Sequence, residues 1–179
     1  FNASWNAHKR SSSIPNSLKI SLIAISSSAI LTLSILVLSG SVKFIPSQIV
    51  PITGMIAGNA MTTIGLCYRN LNSLFRDQRQ QILEKLSLGA NPNQASRTIL
   101  RETIKSGMQP SLDSAKTVGI VSLPGMMSGL MFAGTVPMTA IMYQIMVTFM
   151  LVAATSISSY IASFLAYREF YNDRQQLRV

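Results

Sequence analysis

QRQQILEKLSLGANPNQASRTILRETIKSG, residues 78–107, is the only long polar segment in an otherwise apolar chain. Charge-free runs flank it on both sides: 20–38 and 45–68 upstream, and 117–167, a run of 51 residues, downstream. About 20 consecutive apolar residues cross a bilayer as a helix, so the polar segment connects membrane spans. Leu71, Leu74, Gln78, Ile82, Leu83 and Leu86 recur at helical spacing and extend the second run as an amphipathic helix. Gly89 then reads as a helix stop. Asn91 is placed to cap a new helix, with Pro92 in its first turn and Gln94 completing a capping box. Ala95, Ile99, Leu100 and Ile104 line one face of that helix, and Gly107 and Pro110 are expected to break it.

Composition agrees with this reading. Of 179 residues, 48% are hydrophobic and only 12% are charged, about half the roughly 25% usual in soluble domains. No acidic residue precedes Asp77. The net charge of +9 raises nucleic acid as a partner, but the basic residues stand at the ends of apolar runs, where cytoplasmic loops carry them. Nucleic-acid binding is therefore rejected. The single cysteine, Cys67, allows no internal disulfide. The chain starts at Phe1 rather than Met, and is read as a piece that lacks its beginning. The class is an all-α integral membrane protein, a helical bundle with about four full transmembrane helices and a cytoplasmic helical coupling elbow.

Spans are expected over about 20–38, 46–68, 117–132 and 138–166, with the elbow over about 69–116, all in one domain. FNASWNAHKR (1–10) reads as the end of an earlier membrane helix, and Pro15 starts the next. The serines of 20–38 can bond back to their own helix or across to a neighbour. Gly54 and Gly58 form a GxxxG pair, as do Gly125 and Gly129, so close helix approach is expected at both. The turn signal AGTVP (133–137) divides the long charge-free run in two. Residues 69–116 hold eight Lys/Arg against four Asp/Glu, the tail adds Arg168, Arg174 and Arg178, and the outer loop has only Lys43. Basic loops inside place the elbow and the C-terminus in the cytoplasm.

The spans contain no Asp, Glu, His or Arg. That removes the aspartate pair, Ser-His pair and HExxH zinc site of intramembrane proteases, and the ionisable relays of proton-coupled transporters. No catalytic residue is identified, and no phosphate-binding glycine loop is present, so a transporter built from this chain takes its energy from another subunit. Asn59, at membrane depth, either satisfies bonds within the protein or lines a path. Pro124 and Gly125 weaken a helix beside Met126 and Met127, and these four are candidates for lining that path. Met131, Met138, Met142, Met146 and Met150 follow; thioethers suit soft ions, but methionine is also flexible core filler. Metal ligands stay unassigned. Asp113 and Lys116 are spaced as a structural ion pair near the inner mouth, or as a gate at a cytoplasmic entrance.

EKLSLGANPNQASRTIL (84–100) resembles the coupling-loop signature of bacterial ABC transporter permeases. Its glycine matches Gly89 and its later isoleucine Ile99. Glu84 stands five before the glycine where six is usual, the two alanines are absent, and Arg101-Glu102 replace the terminal Leu-Pro. On this match Glu84, Leu88, Gly89, Ala90, Asn91, Pro92 and Ile99 are the candidate ATPase-coupling residues. A longer resemblance covers nearly the whole chain. FNASWNAHKR, FIPSQIVPITGMIAGNAM, GLCYRNL, QRQQILEKLSLGA, DSAKTVGIVSLPGMMSGLMFAG and YQIMVTFML are similar to the FetB-type permease family, whose bacterial members are described as iron exporters and whose plant relatives are linked to aluminium tolerance.

The resemblance implies a membrane permease of an ABC exporter for iron or another metal ion, in the bacterial inner membrane. It also implies about two further membrane segments ahead of Phe1, a permease homodimer, and a FetA-type ATP-binding subunit that carries ATP and Mg2+, with no cofactor in this chain. The rival reading is an energy-independent channel, or a membrane assembly and interaction protein that uses the same elbow.

Overall fold

The computed structural model describes residues 16–42, 44–119, 124–172 and 176–177. The readings of 1–10, Pro15, Lys43, Arg174 and Arg178 lie outside them. The described chain is helical: α1 (Ser17–Leu38), α2 (Pro46–Asp77), α3 (Arg79–Ser87), α4 (Pro92–Thr117), α5 (Gly125–Phe132), α6 (Pro137–Ala166) and a 3-10 turn at Tyr167–Phe170. Among the described residues the one strand-like pairing is an isolated bridge between Tyr171 and Leu177.

Three helical stretches are long and apolar enough to cross a membrane: Ser17–Leu38, Pro46–Asp77 and Pro137–Phe170. The expected span over 117–132 differs. Residues 120–123 of it lie outside the described residues; of the rest, Thr117 ends α4 and Gly125–Phe132 form the 8-residue α5. Nor does α4 break at Gly107 or Pro110; it runs on to Thr117 with Pro110 inside it. The reason lies in packing. Gly107 is buried against α2 and α6, and a Cβ there would collide with the Cys67 sulfur and touch Thr63 and Ser159. Its bare Cα lets three helices meet, which outweighs the intrinsic cost of glycine in a helix, about 1 kcal/mol. Pro110 has no N–H to give the Ser106 carbonyl, yet the helix continues through it to Thr117.

Helix α6 is the axis of the bundle, packed against α1, α2, α4 and α5. Its buried stripe of Ala154, Thr155, Ser158, Ser159, Ala162 and Ser163 is made of small residues, which let neighbouring backbones come close. The N-terminus of α1, the C-terminal half of α2, the start of α4 and the end of α6 meet at one end, here the basal end. Tyr68 Oη donates to the Ser17 carbonyl (3.2 Å) and lies 3.0 Å from Ser21 Oγ, which ties α2 to α1. Phe75 stacks on Phe170, with ring centroids 4.3 Å apart, and meets Tyr171 edge-on. Ser96 of α4 hydrogen-bonds the Tyr171 hydroxyl. Burial pushes the Tyr171 phenol above its ordinary pKa, and the Ser96 bond works against that shift.

The glycine pairs behave differently from Gly107. A Cβ at Gly54, Gly58, Gly125 or Gly129 would meet nothing within 4 Å. The close approach expected at these pairs is not made by another described helix of this chain.

Candidate functional site

Two places carry candidate residues. The first is a cavity of about 350 Å³ between α2, α4 and α6, at the break between α4 and α5. Asn59, Thr62, Pro110, Thr117, Pro124, Gln144 and Thr148 are among the residues lining it. Asn59 lies 13 residues into α2, so at 1.5 Å per residue the cavity sits roughly 20 Å from that helix's start, about two-thirds of the way across a bilayer core about 30 Å thick. Helix α4 therefore carries polar residues to membrane depth. Its last turn holds the exposed Asp113–Lys116 pair, 3.9 Å apart, and Asp113 also accepts two bonds from Gln109 Nε2, at 2.9 and 3.1 Å. Charged groups at this depth face water or protein and not lipid.

The lining is polar. Asn59 Nδ2 donates to the Met55 carbonyl (2.9 Å), Thr62 Oγ1 to the Gly58 carbonyl (3.2 Å), Thr117 Oγ1 to the Asp113 carbonyl (3.0 Å) and Thr148 Oγ1 to the Gln144 carbonyl (2.8 Å). Gln144 Nε2 donates to Thr148 Oγ1 at 3.3 Å. Each of these side chains thus gives one proton to its own helix, and the hydroxyls of Thr63, Ser111 and Ser114 line the cavity beside them, so the lining offers both donors and acceptors. Gln144 is only 7% exposed, and its Oε1 has no hydrogen-bond partner among the described residues. Leaving such an acceptor unmatched costs about 1–3 kcal/mol. Among the described residues, no Lys, Arg, Asp, Glu or His lines the cavity.

Of the sequence candidates for a path, Asn59 and Pro124 line this cavity and Gly125, Met126 and Met127 do not. Met126 and Met146 instead pack on a distal apolar cluster that contains Met150, while Met131, Met138 and Met142 are exposed. Three of the methionines thus share one apolar cluster, and three others are exposed. Cys67 is buried in the main core. Among the described residues no group of three His, Cys, Asp or Glu is placed to hold a metal. Gln144 was missed from sequence; an amide inside a charge-free run is the signal that marks it, as it marked Asn59.

The second place is the turn between α3 and α4. Gly89 has φ +87, a left-handed conformation that favours glycine. Its amide bonds the Leu86 carbonyl, and that of Ala90 bonds the Lys85 carbonyl, closing the helix end. Asn91 caps α4 in a complete capping box with Gln94, and Pro92 opens the helix. Leu88 projects from the turn, 87% exposed, while Ile82 below it on α3 and Ile99 on α4 are each 1% exposed. Both isoleucines belong to the core that holds Tyr68, Leu71, Phe75 and Phe170. Glu84 is exposed on α3, and its carbonyl accepts the Ser87 hydroxyl (2.7 Å). Ile99 is thus a core residue that anchors the turn, whereas Leu88 is its exposed tip.

Residues 1–171 match the model of a family described as an uncharacterised protein family, UPF0014. The chain is 59% identical over its whole length to the probable iron export permease protein FetB of Escherichia coli (strain K12), covering 69% of that protein. It is 35% identical to the UPF0014 membrane protein STAR2 of Oryza sativa subsp. japonica over 98% of this chain and 61% of that one. With the protein ALUMINUM SENSITIVE 3 of Arabidopsis thaliana it shares 34% identity over 98% of this chain and 64% of that one. No solved structure matches the chain.

Proposed function

Because the chain belongs to the UPF0014 family of membrane proteins, we propose that it is the membrane-spanning permease of an ATP-driven exporter of iron or another metal ion. The observation that carries the proposal is the mounting of the α3–α4 turn: Leu88 stands exposed at its tip, and Ile82 and Ile99 root both of its helices in the bundle core. A force applied at Leu88 reaches Tyr68, Phe75 and Phe170 through direct packing. The partner is an ATP-binding subunit of the FetA type, which binds ATP and Mg2+ and grips the turn through Leu88, Gly89, Ala90, Asn91 and Pro92, with Glu84 beside them. Similarity to a protein named as a probable iron export permease supports iron as the cargo.

In this reading the basal end faces the cytoplasm, with the elbow and the C-terminus there, in a bacterial inner membrane. The second half of α4 and α5 together make a fourth, interrupted crossing. The open glycine faces at Gly54 and Gly58 meet protein outside the described chain, and a second permease copy supplies it. Cellular iron, measured in cells with the full permease and its ATPase and in cells lacking both, tests the cargo. Lower iron in the cells that hold the complex is expected; equal iron in both removes the assignment.

A further inference from the structure

The base of α6 carries a cation that no described acidic side chain pairs. Arg168 lies in the 3-10 turn that follows α6, and its guanidinium carbon stands 5.3 Å from the centre of the Phe164 ring. Phe164 in turn stacks on Tyr160, with ring centroids 5.9 Å apart and planes at 10°. We infer that this column of one cation on two aromatic rings is a binding site for an anionic phospholipid of the adjacent leaflet, with the headgroup phosphate on Arg168 and the glycerol and upper acyl chain against Phe164 and Tyr160. The inference requires that the chain span a bilayer and requires nothing of its cargo or energy source.

The cation is available and held in place. Arg168 is exposed, and among the described residues the one ion pair is Lys116 with Asp113. Phe170, two positions on, stacks on Phe75. Tyr167 is buried, and its ring meets Phe164 edge-on at 5.5 Å. These contacts fix the turn from both sides of Arg168. A guanidinium stacked on a ring keeps its N–H edges for other partners, and their fork matches two phosphate oxygens. The surroundings select a lipid. Met142, Phe149, Ala153, Tyr160 and Phe164 follow one another at intervals of seven, four, seven and four residues, so they form one stripe along α6, and Arg168 continues it four residues on. Met142, Phe149, Ala153 and Tyr160 are exposed. Helix α6 contains no charged residue, so this stripe suits hydrocarbon and not water. At 1.5 Å per residue Tyr160 lies roughly 12 Å from Arg168 along the axis, within one leaflet, whose hydrocarbon is about 15 Å deep. The cation thus stands at phosphate depth and the rings just below it, where interfacial aromatic residues collect. A soluble acidic partner would meet Arg168 but not Tyr160.

The test uses the full permease in detergent micelles that hold phosphatidylglycerol and phosphatidylcholine in equal amounts, with native mass spectrometry reading which lipids stay bound. The wild type is expected to retain phosphatidylglycerol about tenfold better than phosphatidylcholine. Arg168→Gln is expected to abolish that preference. Arg168→Lys keeps the charge and serves the negative end of the α6 dipole equally well, but lacks the planar group that stacks on Phe164; it is expected to lose about fivefold or more of the preference. Lys19→Gln removes another exposed cation at the basal end and is expected to leave the preference unchanged. Excess inorganic phosphate is expected not to displace the lipid, since it makes no contact with the rings. A wild type that holds both lipids equally overturns the site, as does displacement by inorganic phosphate. Full preference in Arg168→Lys, or a loss in Lys19→Gln equal to that in Arg168→Gln, overturns it in favour of diffuse surface charge.

Discussion

At the basal end of the bundle Phe75 stacks on Phe170 and Tyr68 bonds two groups of α1, whereas at the distal end Phe44 and Phe132 stand exposed. The glycines repeat the contrast: Gly107 is enclosed by Cys67, Thr63 and Ser159, while Gly54, Gly58, Gly125 and Gly129 border open space. The basal packing belongs to the chain itself. It joins α1, α2, α4 and α6 into one block on which the α3–α4 turn is mounted. The distal surface is apolar and suits lipid or another membrane helix, since hydrocarbon is no less apolar than leucine.

Substitutions can break or sharpen this contrast. The largest effect is expected at Phe75→Ala, which empties a core position that stacks on Phe170; a loss of about 3–5 kcal/mol is expected, read as a lower melting temperature in detergent. Gly107→Ala comes next, at about 1–3 kcal/mol for overpacking against the Cys67 sulfur. Adding Cys67→Ala should recover much of that loss, and a double-mutant cycle without coupling would show that the two residues do not meet. Tyr68→Phe removes the hydroxyl shared with Ser17 and Ser21 and should cost about 1 kcal/mol with the fold intact. The smallest effect is expected at Gly54→Ala and Gly58→Ala, within about 0.5 kcal/mol for the isolated chain. A large loss of dimer in the membrane for the same variants would identify that face as the one a second copy covers.

Much of the fold was legible because membrane crossing depends on length and apolarity, both local properties. The charge-free runs gave α1, α2 and α6, and single residues at the turn, Gly89, Asn91, Pro92 and Gln94, announced its geometry. What sequence could not deliver was α4 as one helix. Gly107 and Pro110 are helix breakers by local rules, and only the approach of Cys67, 40 positions away, explains why Gly107 sits in a helix interior. The same continuity keeps Asp113 and Lys116 on α4. Asn59 and Pro124, singled out from sequence as path residues, line the cavity, and Gly125, Met126 and Met127 do not. Gln144 became visible as a site residue only when Oε1 proved buried and unmatched.

The most direct measurement is the ATPase activity and metal transport of the reconstituted complex carrying Leu88→Asp, which changes the exposed tip of the turn and none of its buried roots. The variant should fold and insert as the wild type does, yet lose its hold on the ATPase, with metal transport reduced at least tenfold and ATP hydrolysis no longer responsive to the permease. Wild-type transport and hydrolysis in the folded Leu88→Asp complex would contradict energy transfer through this turn.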